Sequence, residues 1–229
     1  QRFTIGGKQP AVKDSTEARD TKSFKLSGTF SHIFILDGNR RTYSDGDPLS
    51  GFYASVYADS TQTFDSLYAR SIKNTIRFDF STDETRKFRL GGGVGIRNEL
   101  LRYSQIVPTH DTLLADTSVW RKHNNVLIGK LYNNIGDKFY WMATGELFLS
   151  GYRFGDFNLN GVISKSFSWK KGVASWDIIG AITNRQPSFW NEQWGSNHFE
   201  WHNNLNKEFR IDLGTTFSYP ARNAELKLN

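Results

Sequence analysis

Few residues in this chain are spaced in a way that could support chemistry. His198, Glu200 and His202 alternate at a spacing of two, which would place three metal-ligand types on one face of a strand. Successive Cα atoms there would lie about 6.5–7 Å apart, so the side chains could converge only with help from a neighbouring strand. The alternative is a polar strand face in contact with water, and this is the interpretation that we favour.

Other motifs of catalysis and ligand binding are incomplete. Gly91-Gly92-Gly93-Val94-Gly95 lacks the Gly-Lys-Ser/Thr of a phosphate-binding loop and lies inside an alternating segment, where glycines allow bending and close backbone approach. Asp45-Gly46-Asp47 lacks the spaced carboxylates and terminal Glu of a calcium loop. There is no G-x-S-x-G elbow and no cysteine to act as nucleophile or ligand. We therefore expect no enzyme, no metal and no cofactor.

The largest group of polar candidates is a set of charges placed between apolar residues. They are Lys73, Arg77, Arg89, Arg97, Glu99, Lys130, Glu146, Asp177, Arg210 and Asp212. In a closed barrel such charges would line water and would tune which solutes are attracted or repelled. In a soluble sandwich the same residues would be ordinary surface. Basic residues outnumber acidic ones in the set, which indicates a mild preference for anions.

The clearest elements that could position these charges are two alternating segments joined by the short link 151–155. In the first, Phe139 to Leu149, and in the second, Phe157 to Ile163, apolar residues recur at every second position. Period-two alternation places one set of side chains on each face of a strand. The pattern predicts a long antiparallel hairpin that is apolar on one face and polar or mixed on the other.

The same pattern recurs along the chain and predicts about ten strands and no helix. We expect strands at 2–6, 23–36, 68–80, 88–100, 123–132, 139–149, 157–167, 176–183, 197–205 and 209–219, with a last one after Pro220-Ala221-Arg222. Asp37-Gly38-Asn39 is expected to end the second strand. These strands are longer than those of most globular sheets and match the roughly 9–11 residues of a tilted membrane crossing.

The predicted connections alternate in length, as they do in outer-membrane barrels. Short turns are expected at 82–85, 133–137, 169–172 and 206–207, and long loops at 37–66, 105–119 and 186–195. Aromatic residues gather near the short turns, as in an interfacial girdle: Phe24, Phe80, Phe88, Phe139, Trp141, Phe167, Trp169, Trp176 and Phe209. The alternative is that these rings close the ends of a soluble core.

Bulk properties allow this interpretation. The chain has 229 residues, 38% hydrophobic residues and a mean hydropathy of −0.54, and no apolar run is long enough for a membrane helix. The net charge of +6 is dispersed, so we expect no nucleic-acid partner. The chain starts at Gln1 without a leader and stops at Asn229 within an alternating run. We therefore expect residues 1–229 to be a single domain and a piece of a longer protein.

The stretch from Pro187 to Asn204 carries a family resemblance. Pro187-Ser188-Phe189-Trp190, followed by Gly195-Ser196-Asn197-His198-Phe199-Glu200-Trp201-His202-Asn203-Asn204, resembles the putative porin family of Bacteroidota outer membranes. In that family an SNHF-x-W-x-N strand follows an aromatic loop that contains proline, and residues 52–80 are a softer match. The resemblance implies an interior part of a longer barrel, with no catalytic residues to transfer and no assigned solute.

These observations predict an all-β fold, an antiparallel up-and-down transmembrane β-barrel that is incomplete. The expected function is porin-like passage or binding of small solutes through a polar lumen in the outer membrane, with the lipid bilayer as partner. The alternative is a secreted or surface β-sandwich that binds glycan or protein through the loop aromatics Phe52, Tyr53, Phe189, Trp190 and Trp194. A second sheet packed on the apolar faces would favour the sandwich. We also expect the chain expressed alone to aggregate, because its sheet edges would be unpaired.

Overall fold

The computed structural model describes residues 2–5, 26–49, 51–57, 59–82, 90–108, 115–135, 138–170 and 172–228. Most of these residues belong to one ten-stranded antiparallel sheet, the main sheet. Its strands are β1 (Arg2–Ile5), β2 (Leu26–Asp45), β3 (Thr63–Thr82), β4 (Leu90–Pro108), β5 (Ala115–Ile135), β6 (Phe139–Gly151), β7 (Phe157–Trp169), β8 (Gly172–Arg185), β11 (Glu208–Tyr219) and β12 (Ala224–Leu228). Across the described ranges, no helix is both long enough and apolar enough to span a membrane.

The topology of the main sheet is up-and-down. Each strand pairs with the strand before and after it along the chain, except that β8 pairs directly with β11. The predicted all-β, antiparallel, up-and-down fold is confirmed, and so is the expected number of strands. The sheet is not closed, because β1 and β12 do not pair with each other within the described residues.

Several strands are longer than the sequence predicts. Asp37-Gly38-Asn39 does not end β2, because these residues pair in register with Ser71, Arg70 and Ala69 of β3. A continuous ladder with a neighbouring strand outweighs the local turn preference of such residues. The predicted loop 105–119 is likewise wrong, since β4 continues to Pro108 and β5 begins at Ala115.

The register separates the side chains of the main sheet into two faces. One cross-strand row runs through Phe30, Phe78, Val94, Gly129, Gly145, Leu159, Ile182 and Ile211. The face that carries this row is called here the apolar face, and the opposite one the polar face. Apolar-face side chains are largely exposed, as in Ile76 (62%) and Leu213 (70%). No second sheet covers this face within the described residues, because the only other sheet has two short strands.

Two long connections lie at one end of the main sheet, called here the loop end. They are 46–62, between β2 and β3, and 186–207, between β8 and β11. The second contains α1 (Phe189–Glu192), β9 (Gln193–Gly195) and β10 (Glu200–His202). The prediction of a barrel strand over 197–205 is therefore wrong, because only Glu200–His202 is extended and it pairs with β9. The expectation of no helix misses α1 and the 3-10 turn Pro220–Arg222.

At the opposite end, called here the turn end, β5 is followed by β6, β7 by β8 and β11 by β12. Aromatic rings pack together there: the centroid of the Trp169 ring lies 5.3 Å from that of Phe217 and 5.5 Å from that of Tyr219. Phe209 was predicted to lie with them, but it stands at the loop end, because 206–207 belongs to the long connection into β11. Phe24, Phe88 and the predicted turn 83–85 lie outside the described residues.

Candidate functional site

The charges predicted to lie together do share one face. Lys73, Arg77, Arg97, Glu99, Lys130, Glu146, Asp177, Arg210 and Asp212 all have the strand phase of the polar face. Arg89 lies outside the described residues. The sequence could predict this common face because each residue alternates with apolar neighbours on a regular strand. It could not predict which charges pair with which.

An arginine on β4 links three strands at the centre of the polar face. Arg97 donates through both terminal nitrogens to the two Glu146 oxygens of β6, at 2.9 and 3.1 Å. Its Nε lies 2.8 Å from a Glu99 oxygen. Asn124 of β5 donates to the other Glu99 oxygen at 3.1 Å, and Glu99 is only 4% exposed. Such a bidentate network fixes side-chain positions, and its two carboxylates outnumber its one guanidinium.

Two further arginines of the polar face are each neutralised by an aspartate two positions away. Arg77 pairs with Asp79, and Arg210 with Asp212, both at 2.7 Å. Lys73 lies 4.0 Å from the exposed carboxylate of Asp37. Among the ion pairs of the described residues, none includes Lys130 or Asp177. Within this set, Lys73 and Lys130 are therefore the cations with the weakest pairing, and Asp177 is an acidic group without an ion pair in the described part of the chain.

These two lysines border the same concave region. A space of about 400 Å³ opens over the middle of β3 to β7. Its polar lining consists of Lys73, Thr75, Arg77, Arg97, Lys130, Thr144, Glu146, Asn158 and Asn160. Amide, hydroxyl and ammonium groups that face a shared space can hydrogen-bond small polar solutes, and anions most favourably.

The two long loops are held together above this region by Asn197. Its backbone N–H donates to the Asp65 carboxylate at 2.9 Å, and its carbonyl accepts from the Tyr57 N–H at 2.8 Å. Its side-chain amide donates to the Asp59 carbonyl at 2.7 Å and accepts from the Asp59 N–H at 2.9 Å. Asn197 is fully buried. With His198 it forms what is called here the loop latch.

His198 completes the loop latch. Its Nδ1 donates to the Ser55 carbonyl at 3.1 Å, and its Nε2 lies 2.7 Å from the Thr63 hydroxyl oxygen. The Tyr53 ring stacks on the imidazole, with centroids 3.7 Å apart. His198 is 7% exposed. The ring is therefore held on both nitrogens and on one face.

The predicted common face of His198, Glu200 and His202 is wrong. Only Glu200 and His202 lie on β10, where both are exposed, whereas His198 is buried in the loop latch. Throughout the described parts of the chain, no three His, Cys, Asp or Glu residues are grouped to hold a metal ion. The sequence signal for the loop latch was the Ser-Asn-His-Phe motif itself, which was interpreted as part of a strand.

Comparison with known proteins identifies the family. A family model described as "Putative porin" matches residues 1–229, the whole chain. The chain belongs to this porin family. Among curated proteins and among solved structures, no significant match was found. Membership confirms the resemblance inferred from the sequence and supports an outer-membrane, porin-type role.

A second clamp in this porin ties the link after β6 to the long loop before β11. Asp156 is 1% exposed and accepts from Arg153 Nε at 2.8 Å and from the Gln186 N–H at 2.9 Å. Its other oxygen lies 2.9 Å from Lys207 Nζ. Nearby, burial and then the hydrogen bond to Glu192 raise the pKa of Tyr152, which therefore remains a neutral donor.

The loop aromatics of the porin do not form one exposed surface. Phe189 is 4% exposed and stacks on Tyr103 of the polar face, with centroids 4.2 Å apart. Tyr53 belongs to the loop latch, while Phe52 is 69% exposed. Trp194 stacks on Trp201 at 5.1 Å, and Trp190 packs on Tyr103 and Phe189. These rings fix the long loop against the polar face.

Proposed function

We propose that this chain is the wall of an outer-membrane β-barrel through which small solutes pass, with the polar face lining the aqueous lumen and the apolar face meeting lipid. The observation that carries the proposal is the continuous separation of apolar from polar side chains over the main sheet, with an apolar face that nothing in the described structure covers. A sheet of this kind satisfies its backbone groups through its neighbours and presents its apolar side to hydrocarbon.

The unpaired edges of the main sheet are relevant to how this chain forms a domain. Lipid does not tolerate rows of unpaired N–H and C=O groups, so a spanning sheet has to be closed. The described part of the main sheet is open. We propose that residues 1–229 form one β-barrel domain and that further strands of a longer barrel complete the wall.

We base a mild local preference for anions on Lys73 and Lys130, the least paired cations of the polar face. Lys73 and Lys130 face the same concave region, whereas most other cations there are matched by carboxylates. The long loop 186–207 lies against the same face at the loop end, because its residues bond Asp65 and Thr63. This placement supports a narrowed entrance to the concave region that the two lysines border.

The test is ion selectivity of the purified protein in a planar bilayer. Replacing both lysines, K73Q with K130Q, is expected to shift the reversal potential in a KCl gradient toward cation preference. The control K165Q removes the same kind of charge from the apolar face near the turn end and is expected to leave the potential unchanged. Equal shifts in both proteins, or no channel activity in the wild type, would contradict the proposal.

The β-sandwich alternative finds no support in the fold. It requires a second sheet on the apolar face and one exposed set of loop aromatics. The described structure shows neither, since β9 and β10 lie on the polar side and Phe189 is buried.

A further inference from the structure

Three arginines stand directly beside one another on the apolar face. Arg70 of β3 pairs in register with Arg102 of β4, and Arg102 pairs with Arg121 of β5. All three have the strand phase of the apolar face, and all three are exposed. They are called here the arginine row.

The arginine row lies at the border of the apolar belt, toward the loop end. The next row toward the turn end holds Leu36, Ile72 and Leu100, of which Leu36 and Leu100 are about half exposed. The segment of β3 from Arg70 to Phe80 has the length of roughly 9–11 residues that a tilted strand needs to cross the hydrocarbon core. With long loops on the outer side, the arginine row stands at the level of the outer headgroups.

The arginine row has no internal counter-charge in the described structure. None of the ion pairs among the described residues includes Arg70, Arg102 or Arg121. The two flanking rows of the same face contain no Asp or Glu; they are Arg40, Tyr68, Ser104 and Val119 on one side and Leu36, Ile72, Leu100 and His123 on the other. Like charges opposite one another on adjacent strands destabilise a sheet. An anion from outside the chain would remove that repulsion.

We propose that the arginine row binds the phosphate groups of a phosphorylated lipid in the outer leaflet, with the acyl chains lying on Leu36, Ile72 and Leu100. A guanidinium presents paired donors that match two phosphate oxygens, and three adjacent guanidinium groups can hold more than one phosphate. The apolar row immediately beside the charges favours an amphipathic ligand over a free anion. This inference rests on the proposed function in one respect, namely that the apolar face meets lipid.

The test is native mass spectrometry of the detergent-purified protein titrated with diphosphoryl lipid A. The variant R70Q/R102Q/R121Q is expected to bind this lipid at least tenfold more weakly than the wild type. The control K138Q/K165Q/R222Q removes equal charge from the turn-end side and is expected to bind as the wild type does. Equal weakening in both triple variants, or no weakening in the arginine variant, would overturn the proposal.

Two further measurements distinguish lipid binding from anion binding and guard against misfolding of the triple variant. Inorganic phosphate at millimolar concentration is expected to compete poorly, and full competition would assign the arginine row to a free anion and overturn the lipid proposal. If the triple variant does not fold, R102Q and R102K are compared. A loss of lipid A affinity in R102Q that is partly restored in R102K supports binding by charge. Unchanged lipid A affinity in both variants overturns the proposal. Bilayer conductance of the same proteins reports separately on solute passage, so a failure of one proposal is distinguishable from a failure of the other.

Discussion

At the scale of single residues, two sets of contacts organise the polar face and its loops: Arg97 with Glu146, and Asn197 with Asp65. Period-two alternation was sufficient to place Arg97 and Glu146 on one face, because strand geometry allows no other phase. It did not show that Asn124 would complete their network or that Asn197 would bond Asp65, since those partners come from other strands or from a distant loop. The Ser-Asn-His-Phe motif marked the residues of the loop latch, but the sequence predicted a strand there and the structure shows a loop before β10.

Removing the Asn197 side chain should release the two long loops. N197A leaves the partly buried carbonyl and N–H of Asp59, and the buried Thr63 hydroxyl, without this partner, which typically costs about 1–3 kcal/mol. Limited proteolysis of the membrane-embedded protein is expected to cut within 186–207 faster than in the wild type. The control N203A removes one exposed bond to the Asn191 carbonyl and should be cut at the wild-type rate. Equal rates in N197A and N203A would show that the amide does not hold the loops.

At the scale of elements, strand identity was predictable and strand ends were not. Alternation located the strands of the main sheet, whereas local breakers such as Asp37-Gly38-Asn39 and Pro108 gave boundaries that the ladders override. The glycine run of β4 was correctly predicted to lie inside a strand. Which glycine of this run must lack a Cβ depends on the atoms of the neighbouring strand, and no local sequence pattern contains that information.

Gly95 of β4 should tolerate a methyl group poorly. A Cβ there would lie 2.6 Å from the Ile76 carbonyl oxygen, which is backbone and cannot easily move. G95A is expected to lower the stability of the folded protein by about 1–3 kcal/mol. G129A is the matched control, because a Cβ at Gly129 meets nothing within 4 Å. Urea unfolding in detergent measures both, and equal midpoints would contradict the steric argument.

At the scale of the whole molecule, the sequence was sufficient to predict an amphipathic sheet. Alternation alone predicted one apolar and one polar side, and the structure places these on opposite faces of a single layer. The folding of 186–207 against the polar face was not predictable, because it depends on contacts such as Asn197 with Asp65 that are distant along the chain.

An arginine on the apolar face should be far more costly than one on the polar face. L213R places a charge at a position that is 70% exposed and, in the proposed barrel, surrounded by hydrocarbon, which costs about 2–4 kcal/mol near the bilayer midplane. T216R points to the opposite face, beside Asp177, and is expected to be mild. Unfolding of both variants in lipid vesicles gives the comparison. Similar losses of stability would count against a membrane-embedded apolar face.

The bonds of the loop latch also constrain the order of folding. Neighbouring strands join stretches of chain that are close in sequence, and such contacts form early because little chain entropy is lost. Asn197 and Asp65 are separated by 132 positions, so their bond can close only after the intervening hairpins have assembled. The loop end of the main sheet is thus the last region to become ordered during folding.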